Sequence, residues 1–157
     1  MAAYSFPVIA IRPAAEADAP ALASIAAAAY QHYVPRIGGP PAPMTADYTA
    51  AIRRGQAWVA AVDGEVTGFV ILVSRPGYLL LENVAVLPAA QGRGIGARLL
   101  ALAEDRARAL GVPEIRLYTN AAMTENLTYY PRYGYTETHR AQQDGFRRVF
   151  FRKPVDT

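Results

Sequence analysis

Three alternate glycines, Gly92, Gly94 and Gly96, lie between an apolar run that ends at Pro88 and a helical pattern that begins at Ile95. Because glycine has no side chain, the backbone N–H groups of such a loop can converge on one point. That point is also the positive end of the following helix dipole, where anions bind well. The junction therefore predicts a site for a phosphate or pyrophosphate.

Other interpretations of this loop are weaker. The glycines would also suit a turn that only allows the strand to pack closely on the helix. The spacing Gly-x-Gly-x-Gly differs from the Gly-x-Gly-x-x-Gly of dinucleotide-binding folds. It differs from a nucleotide P-loop too, because no Lys-Ser or Lys-Thr follows and the single lysine of the chain is Lys153. A nucleotide-phosphate-binding protein is therefore the less favoured hypothesis.

The composition of the 157-residue chain excludes several kinds of chemistry. With 0 Cys, the chain has no disulfides, cysteine nucleophiles or thiolate metal sites. Its 2 His provide few ligands for a catalytic metal site, so we expect no metal. The net charge of +3 suits an anionic ligand, but no run of like charges indicates nucleic-acid binding. No apolar stretch is long enough to cross a bilayer, and the opening MAAYSFPVIAIRP lacks a signal-peptide pattern. We expect a cytoplasmic protein that binds neither nucleic acid nor membranes.

Hydrophobic periodicity predicts one domain of strands and helices in the order β-α-α-β-β-β-α-β-α-β-β. Hairpin signals in the first half, notably Asp63-Gly64, imply antiparallel pairing. The strand–helix–strand segment from Tyr78 to Tyr118 implies a right-handed parallel crossover. The fold class is therefore a mixed α/β (α+β) sheet flanked by helices. The predicted strands cover Val8–Ile11, Ala57–Val62, Glu65–Ser74, Tyr78–Leu87, Ile115–Tyr118, Tyr135–Ala141 and Phe146–Lys153, and the helices cover Thr45–Arg54, Ile95–Leu110 and Glu125–Tyr133, with an earlier one that Asp18 caps.

The segment around the glycines resembles a known motif. It reads Val-Ala-Val-Leu-Pro-Ala-Ala-Gln-Gly-Arg-Gly-Ile-Gly, and Gln91, Gly94 and Gly96 occupy the fixed positions of Q/R-x-x-G-x-G/A, the acetyl-CoA-binding motif of the GCN5-related N-acetyltransferases (GNAT family). The likeness covers about residues 8–154, so residues 1–157 are expected to form a single N-acetyltransferase domain. Two further segments carry it: Ile11-Arg12-Pro13 with Asp18, and Asn126-Leu127-Thr128-Tyr129-Tyr130-Pro131-Arg132-Tyr133-Gly134-Tyr135.

The resemblance implies acetyl-CoA as cosubstrate, direct transfer of its acetyl group to a primary amine, and a sheet that is splayed at its middle. In that family the strand before the motif pairs with the pantetheine arm, and the loop amides hold the pyrophosphate. The matching strand residues here are Val84, Ala85 and Val86. The matching loop residues are Gln91, Gly92, Arg93, Gly94, Ile95, Gly96 and Ala97. A β-bulge near Asn83–Ala85 would free main-chain groups for such a ligand.

Tyr130 is the candidate general acid, since it lies four residues before Gly134, where the family places a tyrosine with that role. A phenol with a pKa near 10 can protonate a leaving thiolate. The neighbouring Tyr129 and Tyr133 are competing candidates, and the tyrosine cluster would also suit core packing. Pro131 disfavours helical geometry at Tyr130, so we expect a short or distorted helix there.

Glu82 is the candidate general base. It stands in the middle of a strand among leucines and valines, so we expect it to be buried. Burial raises the pKa of a carboxyl group, which would make Glu82 a usable base, acting through a water. An acidic residue on this strand is a frequent general base in the family. An edge-facing or salt-bridged glutamate is the alternative interpretation.

Three further residues are binding candidates. Asn126 either contacts the pantetheine or caps the helix that contains it. His32 and Tyr33 are candidate acceptor contacts, because the family builds its acceptor pocket partly from this region; loops 30–44 and 138–146 are the expected pocket walls. The arginines near the C-terminus are expected on a solvated strand face: Arg147, Arg148 and Arg152.

The acceptor itself is left open by the sequence. It is expected to be a small-molecule or peptide amine. A homodimer is common in the family, and the sequence does not decide the oligomeric state. A non-catalytic acyl-CoA-binding or regulatory module on the same fold is the alternative function, because a fold alone does not define an activity.

Overall fold

The computed structural model describes residues 8–156 as seven β-strands, five α-helices and short 3-10 turns. The strands are β1 (Ile9–Pro13), β2 (Ala57–Val62), β3 (Glu65–Arg75), β4 (Tyr78–Val86), β5 (Glu114–Asn120), β6 (Thr136–Gln143) and β7 (Phe146–Pro154). The helices are α1 (Ala19–Tyr30), α2 (Val34–Ile37), α3 (Tyr48–Arg53), α4 (Ile95–Leu110) and α5 (Thr124–Tyr129). Residues 1–7, on which the signal-peptide expectation partly rests, lie outside this range. None of the helices within residues 8–156 combines the length and apolar character that crossing a bilayer requires.

All seven strands form one sheet in the order β1-β2-β3-β4-β5-β7-β6. Each neighbouring pair is antiparallel except β4 and β5, which are parallel and are connected through α4. A parallel pair needs such a crossover, whereas the antiparallel pairs are mostly joined by short turns. The predicted mixed α+β sheet flanked by helices is confirmed.

Side chains that alternate along the central strands build a core on each face of the sheet. Phe69 and Ile71 of β3 pack with α1 and α3, whereas Val70 and Leu72 pack with α4. The buried α4 positions Leu99 and Ala103 complete the second core against β5. The sheet is therefore held between two helical layers, and α4 is fixed directly beside β4 and β5.

The helix α4 has the predicted bounds at both ends. Gly94 before it and Gly111 after it adopt left-handed backbone, with φ of 83° and 71°. Glycine adopts this conformation without the steric penalty that a side chain brings. Together with the buried face of the helix, these two residues fix where the chain enters and leaves it.

A β-bulge and a divergence of strands interrupt the middle of the sheet. The β3–β4 register passes from Ile71 opposite Asn83 to Leu72 opposite Leu81, so Glu82 is the extra residue on β4. The bulge predicted near Asn83–Ala85 lies at the residue just before that range, and Asn83–Val86 pair regularly with β3. Beside this bulge, β4 and β5 pair at Leu79 with Ile115 and at Leu80 with Arg116. Beyond Leu80 the two strands separate and leave one edge of β4 open.

Candidate active site

Two cavities meet where β4 and β5 separate. The first, of about 640 Å³, lies against the loop between β4 and α4, and we call it the glycine-loop cavity. The second, of about 490 Å³, lies between β4, β5, β7 and the region around α3, and we call it the α3 cavity. Residues common to both linings are Tyr30, Val84, Asn126 and Tyr130. Two ligands, one in each cavity, would therefore meet at these four side chains.

The glycine-loop cavity brings together most of the residues that the sequence predicted for the cosubstrate. Its lining includes Val84, Ala85, Val86, Gln91, Gly92, Gly94, Ile95, Gly96, Ala97 and Asn126. The Gln91 side chain donates a hydrogen bond from Nε2 to the Val86 carbonyl at 3.2 Å, which ties the loop to the end of β4. Arg93 is exposed and is absent from this lining, unlike its neighbours in the motif.

The N-terminus of α4 faces this cavity. A 16-residue helix leaves its first N–H groups without intrahelical partners, and its dipole places partial positive charge there. A Cβ atom on Gly96 would lie 2.7 Å from the Tyr129 hydroxyl, so this hydroxyl sits directly over the first turn of α4. Tyr129 and Tyr133 line only the glycine-loop cavity, whereas Tyr130 lines both cavities.

Tyr130 lies at the junction of the two cavities. Its side chain is 7% exposed, and its ring packs against Tyr129, Tyr135 and Phe151. Burial, followed by the nearby Tyr129 and Tyr33 hydroxyls, raises the pKa of Tyr130 well above its usual range. The hydroxyl therefore stays protonated at neutral pH and can act as a hydrogen donor.

The helix that leads to Tyr130 is short and continues as a 3-10 turn, in agreement with the short or distorted helix that the sequence predicted. The α-helix α5 ends at Tyr129, and a 3-10 turn covers Tyr130–Tyr133. Tyr130 itself keeps right-handed helical angles, with φ of −65° and ψ of −38°, despite the following Pro131. Pro131 thus ends the α-helix without moving Tyr130 away from the cavities.

Asn126 is an internal residue of α5 and not its cap. Its Nδ2 donates to Thr119 Oγ1 at 2.9 Å and lies 3.7 Å from Met123 Sδ. The residue at the cap position is Met123, and no side chain caps the helix there. These contacts use only Nδ2 of the side chain, so the side-chain oxygen Oδ1 can accept a hydrogen bond from a ligand in either cavity.

A hydrogen-bonded series of side chains that the sequence did not reveal fixes the wall beside the junction. The Tyr30 hydroxyl lies 2.8 Å from Asn83 Oδ1 and 3.0 Å from the Val84 carbonyl, and either can accept its proton. Asn83 Nδ2 donates to the Tyr48 hydroxyl at 2.9 Å, and Tyr48 donates to the Pro43 carbonyl. The series joins α1, β4 and α3. The polar Asn83 within an apolar strand was the only sequence signal for it.

Glu82 is exposed, so the prediction that it is buried was wrong. The physical reason is the β-bulge, which places Glu82 outside the regular alternation of β4. Its side chain lines the α3 cavity beside Asn83 and Val84. A base at this position would work in contact with water rather than in an apolar pocket.

His32 and Tyr33 line the glycine-loop cavity and are absent from the lining of the α3 cavity, and their role as acceptor contacts stays a prediction. The Tyr33 hydroxyl donates to Glu125 Oε2 at 2.8 Å, and Arg36 Nη1 donates to Glu125 Oε1 at 2.8 Å. These contacts connect the chain between α1 and α2 with α5 across the cavity. The guanidinium of Arg36, together with the Tyr33 hydroxyl, lowers the pKa of Glu125 to about 2.

This connection should make part of the stability depend on pH. The folded-state pKa of Glu125 is depressed from 4.5, so its contribution is present above about pH 4.5 and is lost as the pH falls toward 2. We expect the free energy of unfolding to fall more between about pH 5 and about pH 3 in the wild type than in Glu125→Gln, measured by urea denaturation. In an Arg36→Gln background, Glu125→Gln should alter this pH dependence of the free energy of unfolding much less. Equal pH dependence of the wild type and Glu125→Gln would contradict this assignment.

Arg148 is buried and lines the α3 cavity, although the sequence suggested a solvated strand face. Its Nη1 donates to Gln143 Oε1 at 2.8 Å and to Asp144 Oδ2 at 3.1 Å. Its guanidinium carbon lies 4.3 Å from the centre of the Tyr118 ring. The neighbouring Arg147 is exposed, and nothing in the composition of β7 separates the two arginines beforehand.

The site is built from protein side chains and main-chain amides. Within residues 8–156, no three His, Asp or Glu side chains are grouped so that they could hold a metal ion. The groups that converge are main-chain amides, tyrosine hydroxyls, a carboxylate and a guanidinium. Such a set can bind a phosphorylated ligand at the loop and move protons at the junction.

The fold and the site together define the N-acetyltransferase fold class, in which a sheet splays beside a glycine loop. The chain belongs to the Acetyltransferase (GNAT) family, whose model matches residues 21–135. This match confirms the resemblance that the motif around Gln91, Gly94 and Gly96 indicated.

Known proteins resemble this chain at low sequence identity. The chain is 29% identical over 85 residues to the uncharacterized N-acetyltransferase YvbK of Bacillus subtilis, an alignment that covers 54% of this chain and 55% of YvbK. It is 37% identical over 59 residues to the aminoalkylphosphonate N-acetyltransferase of Salmonella typhimurium, over 38% of each protein. The chain thus spans about half the length, or less, of these curated relatives. The PaiA N-acetyltransferase of Thermoplasma acidophilum, solved with coenzyme A, matches with a TM-score of 0.78 at 20% identity, over 94% of this chain and 99% of that one, so the two share the fold.

Proposed function

We propose that this protein is an N-acetyltransferase that moves the acetyl group of acetyl-CoA to a primary amine, and that residues 1–157 form one such domain. One observation carries the proposal: the glycine-loop cavity and the α3 cavity meet at Tyr130. A donor held in the first cavity and an amine held in the second would meet at one hydroxyl group. Membership of the acetyltransferase family supports the same conclusion.

The glycine-loop cavity suits acetyl-CoA in its chemistry. The free N–H groups at the start of α4 and the amides of Gly92 and Gly94 would bind the pyrophosphate. Arg132 lines the same cavity and adds positive charge to it. The open edge of β4 at Val84–Val86 would pair with the amide groups of the pantetheine arm, and Asn126 would contact the arm near the junction.

Two side chains would carry the proton transfers. The amine nitrogen attacks the thioester carbonyl carbon, so a C–N bond forms and the C–S bond breaks. Glu82, which faces water in the α3 cavity, would accept the proton that the nitrogen releases. Tyr130, whose side chain lies where the two cavities meet, would supply one to the departing sulfur. One proton is released and one is taken up, so the two transfers balance.

A thermal-shift titration with acetyl-CoA, with CoA and ATP in parallel, tests the first half of the proposal. A ligand that binds only the folded state adds about 2.7 kcal/mol at 100 times its dissociation constant, which is readily measured. We expect a saturable rise in Tm with acetyl-CoA and CoA and little change with ATP. A screen of amines, followed by the release of free thiol, then tests the transfer. No shift with acetyl-CoA would contradict the proposed cosubstrate, and a larger shift with ATP would favour a nucleotide site.

A further inference from the structure

The guanidinium of Arg148 lines the α3 cavity, and its contacts with the protein use only some of its N–H donors. Both side-chain hydrogen bonds of Arg148 start from Nη1, and an arginine carries three further N–H donors on Nε and Nη2. The Arg148 side chain is 8% exposed, whereas that of its carboxylate partner, Asp144, is 76% exposed. A solvated carboxylate compensates a buried cation only weakly, since water screens the pair. A weakly compensated positive charge therefore lines the cavity.

The guanidinium is also held in one orientation. It lies over the Tyr118 ring at 4.3 Å and near the Phe146 ring at 5.7 Å, and Gln143 and Asp144 fix its Nη1 end. Stacking of this kind costs little desolvation for an arginine and leaves its planar edge free for two parallel hydrogen bonds. A carboxylate or a phosphate group is the ligand that matches such an edge.

Negative charge lies on the β4 side of the same cavity. Glu82 is exposed there and makes none of the salt bridges found within residues 8–156. Asp47 also lines the cavity, but its carboxylate accepts the Ala50 N–H as a helix cap. Burial raises the pKa of Tyr118, while Arg148 lowers it and Glu82 raises it further, so both charges act on the same phenol. Glu82 and Arg148 thus place opposite charges in the cavity, whose lining also includes the exposed Arg54 at the end of α3.

We propose that the acceptor is a small primary amine that carries an acidic group, with the acidic group bound by Arg148 and the amine on the Glu82 side. The inference rests on the proposed function and names its substrate class. A volume of about 490 Å³ suits a small molecule, and the opposite charges fix its direction: the amine lies toward the junction at Tyr130. In the transfer the amine nitrogen gains the acetyl group and loses one proton, the sulfur gains one, and the acidic group stays unchanged on Arg148.

Two matched pairs of amines test this inference with the intact protein and acetyl-CoA. They are β-alanine against β-alaninamide, and O-phosphoethanolamine against ethanolamine, which distinguish a carboxylate from a phosphate. Thiol release should give at least a ~10-fold higher kcat/KM for the acidic member of one pair. In Arg148→Gln this preference should fall by roughly 10–100-fold, toward equal rates. Arg148→Lys, which keeps the charge without the planar edge, should retain part of it, and Arg147→Gln should retain all of it.

Equal rates within both pairs in the wild type, or an unchanged preference in Arg148→Gln, would overturn the inference while leaving the proposed function intact. If acetyl-CoA binds but no amine in the panel is acetylated, calorimetry with β-alanine and O-phosphoethanolamine decides the matter. Binding that is lost in Arg148→Gln and kept in Arg147→Gln supports the acidic subsite, and no binding overturns it. Circular dichroism confirms that each variant is folded. Failure of the proposed function is seen separately, as the absence of any acetyl-CoA shift in Tm.

Discussion

Replacement of Tyr130 by phenylalanine is expected to reduce kcat by roughly 10²–10⁴-fold, the range for loss of a general acid, while acetyl-CoA binding is largely retained. The hydroxyl lies where the two cavities meet and stays protonated, so its loss removes the proton donor without opening a cavity in the core. The ring contacts with Tyr135 and Phe151 are kept by phenylalanine. Thiol release measures kcat, and the thermal shift with acetyl-CoA measures binding.

Tyr135→Phe is the matched control for this change. The Tyr135 hydroxyl is buried next to Tyr130 and has no hydrogen-bond partner within the described residues 8–156. Its removal leaves no group unpaired, so the free energy of unfolding should stay level or rise. We expect kcat to be unchanged in this variant. Full turnover in Tyr130→Phe would exclude Tyr130 as the acid, whereas a wild type that binds acetyl-CoA and acetylates no amine would favour a non-catalytic acyl-CoA module.

Replacement of Gly94 by alanine is expected to weaken acetyl-CoA binding by roughly 10–100-fold, as expected when hydrogen bonds to a charged group are lost. Gly94 has a φ of 83°, where a side chain costs about 1–2 kcal/mol, and the loop can relieve this strain by moving its N–H groups. The space where its Cβ would stand is open, so the effect does not come from a clash. Titration of Tm against acetyl-CoA concentration measures the change.

Gly111→Ala separates loss of binding from loss of stability. Gly111 follows the other end of α4 with a φ of 71°, and its Cβ position is also open. Both variants should therefore lose a similar free energy of unfolding, about 1–2 kcal/mol. Only Gly94→Ala should lose affinity, because Gly111 is absent from the lining of the glycine-loop cavity. Equal loss of affinity in the two variants would show that the loop amides have no direct role.

Local patterns in the sequence were enough to predict most of the elements. The bounds of β2 and α4 were predicted to the residue, because apolar periodicity and a glycine after the helix are signals within one element. The residues that the glycine motif and the strand before it indicated for the cosubstrate, apart from Arg93, all lie in the lining of the glycine-loop cavity. These predictions depend on neighbours along the chain and not on tertiary contacts.

The errors concern residues whose surroundings are set by distant parts of the chain. Glu82 was predicted to be buried because its strand neighbours are apolar, but the register between β3 and β4 turns it outward. Arg148 was predicted to be solvated, but the side chains of Tyr118 and Phe146 enclose it. The cavity that His32 and Tyr33 line could not be predicted either, because the contact of Tyr33 with Glu125 on α5 holds this segment at the glycine-loop cavity. None of these contacts is visible in the local sequence.

The short parallel pairing of β4 and β5 has a consequence for the stiffness of the sheet. The register joins them only at Leu79 with Ile115 and Leu80 with Arg116 within the described part of the chain, so the backbone connection between the four strands on one side and the three on the other is short. A ligand that filled the gap would replace the missing backbone pairing between these two groups of strands. The same contacts that hold the ligand would thus make the sheet stiffer, and a cosubstrate bound there becomes a structural part of the protein.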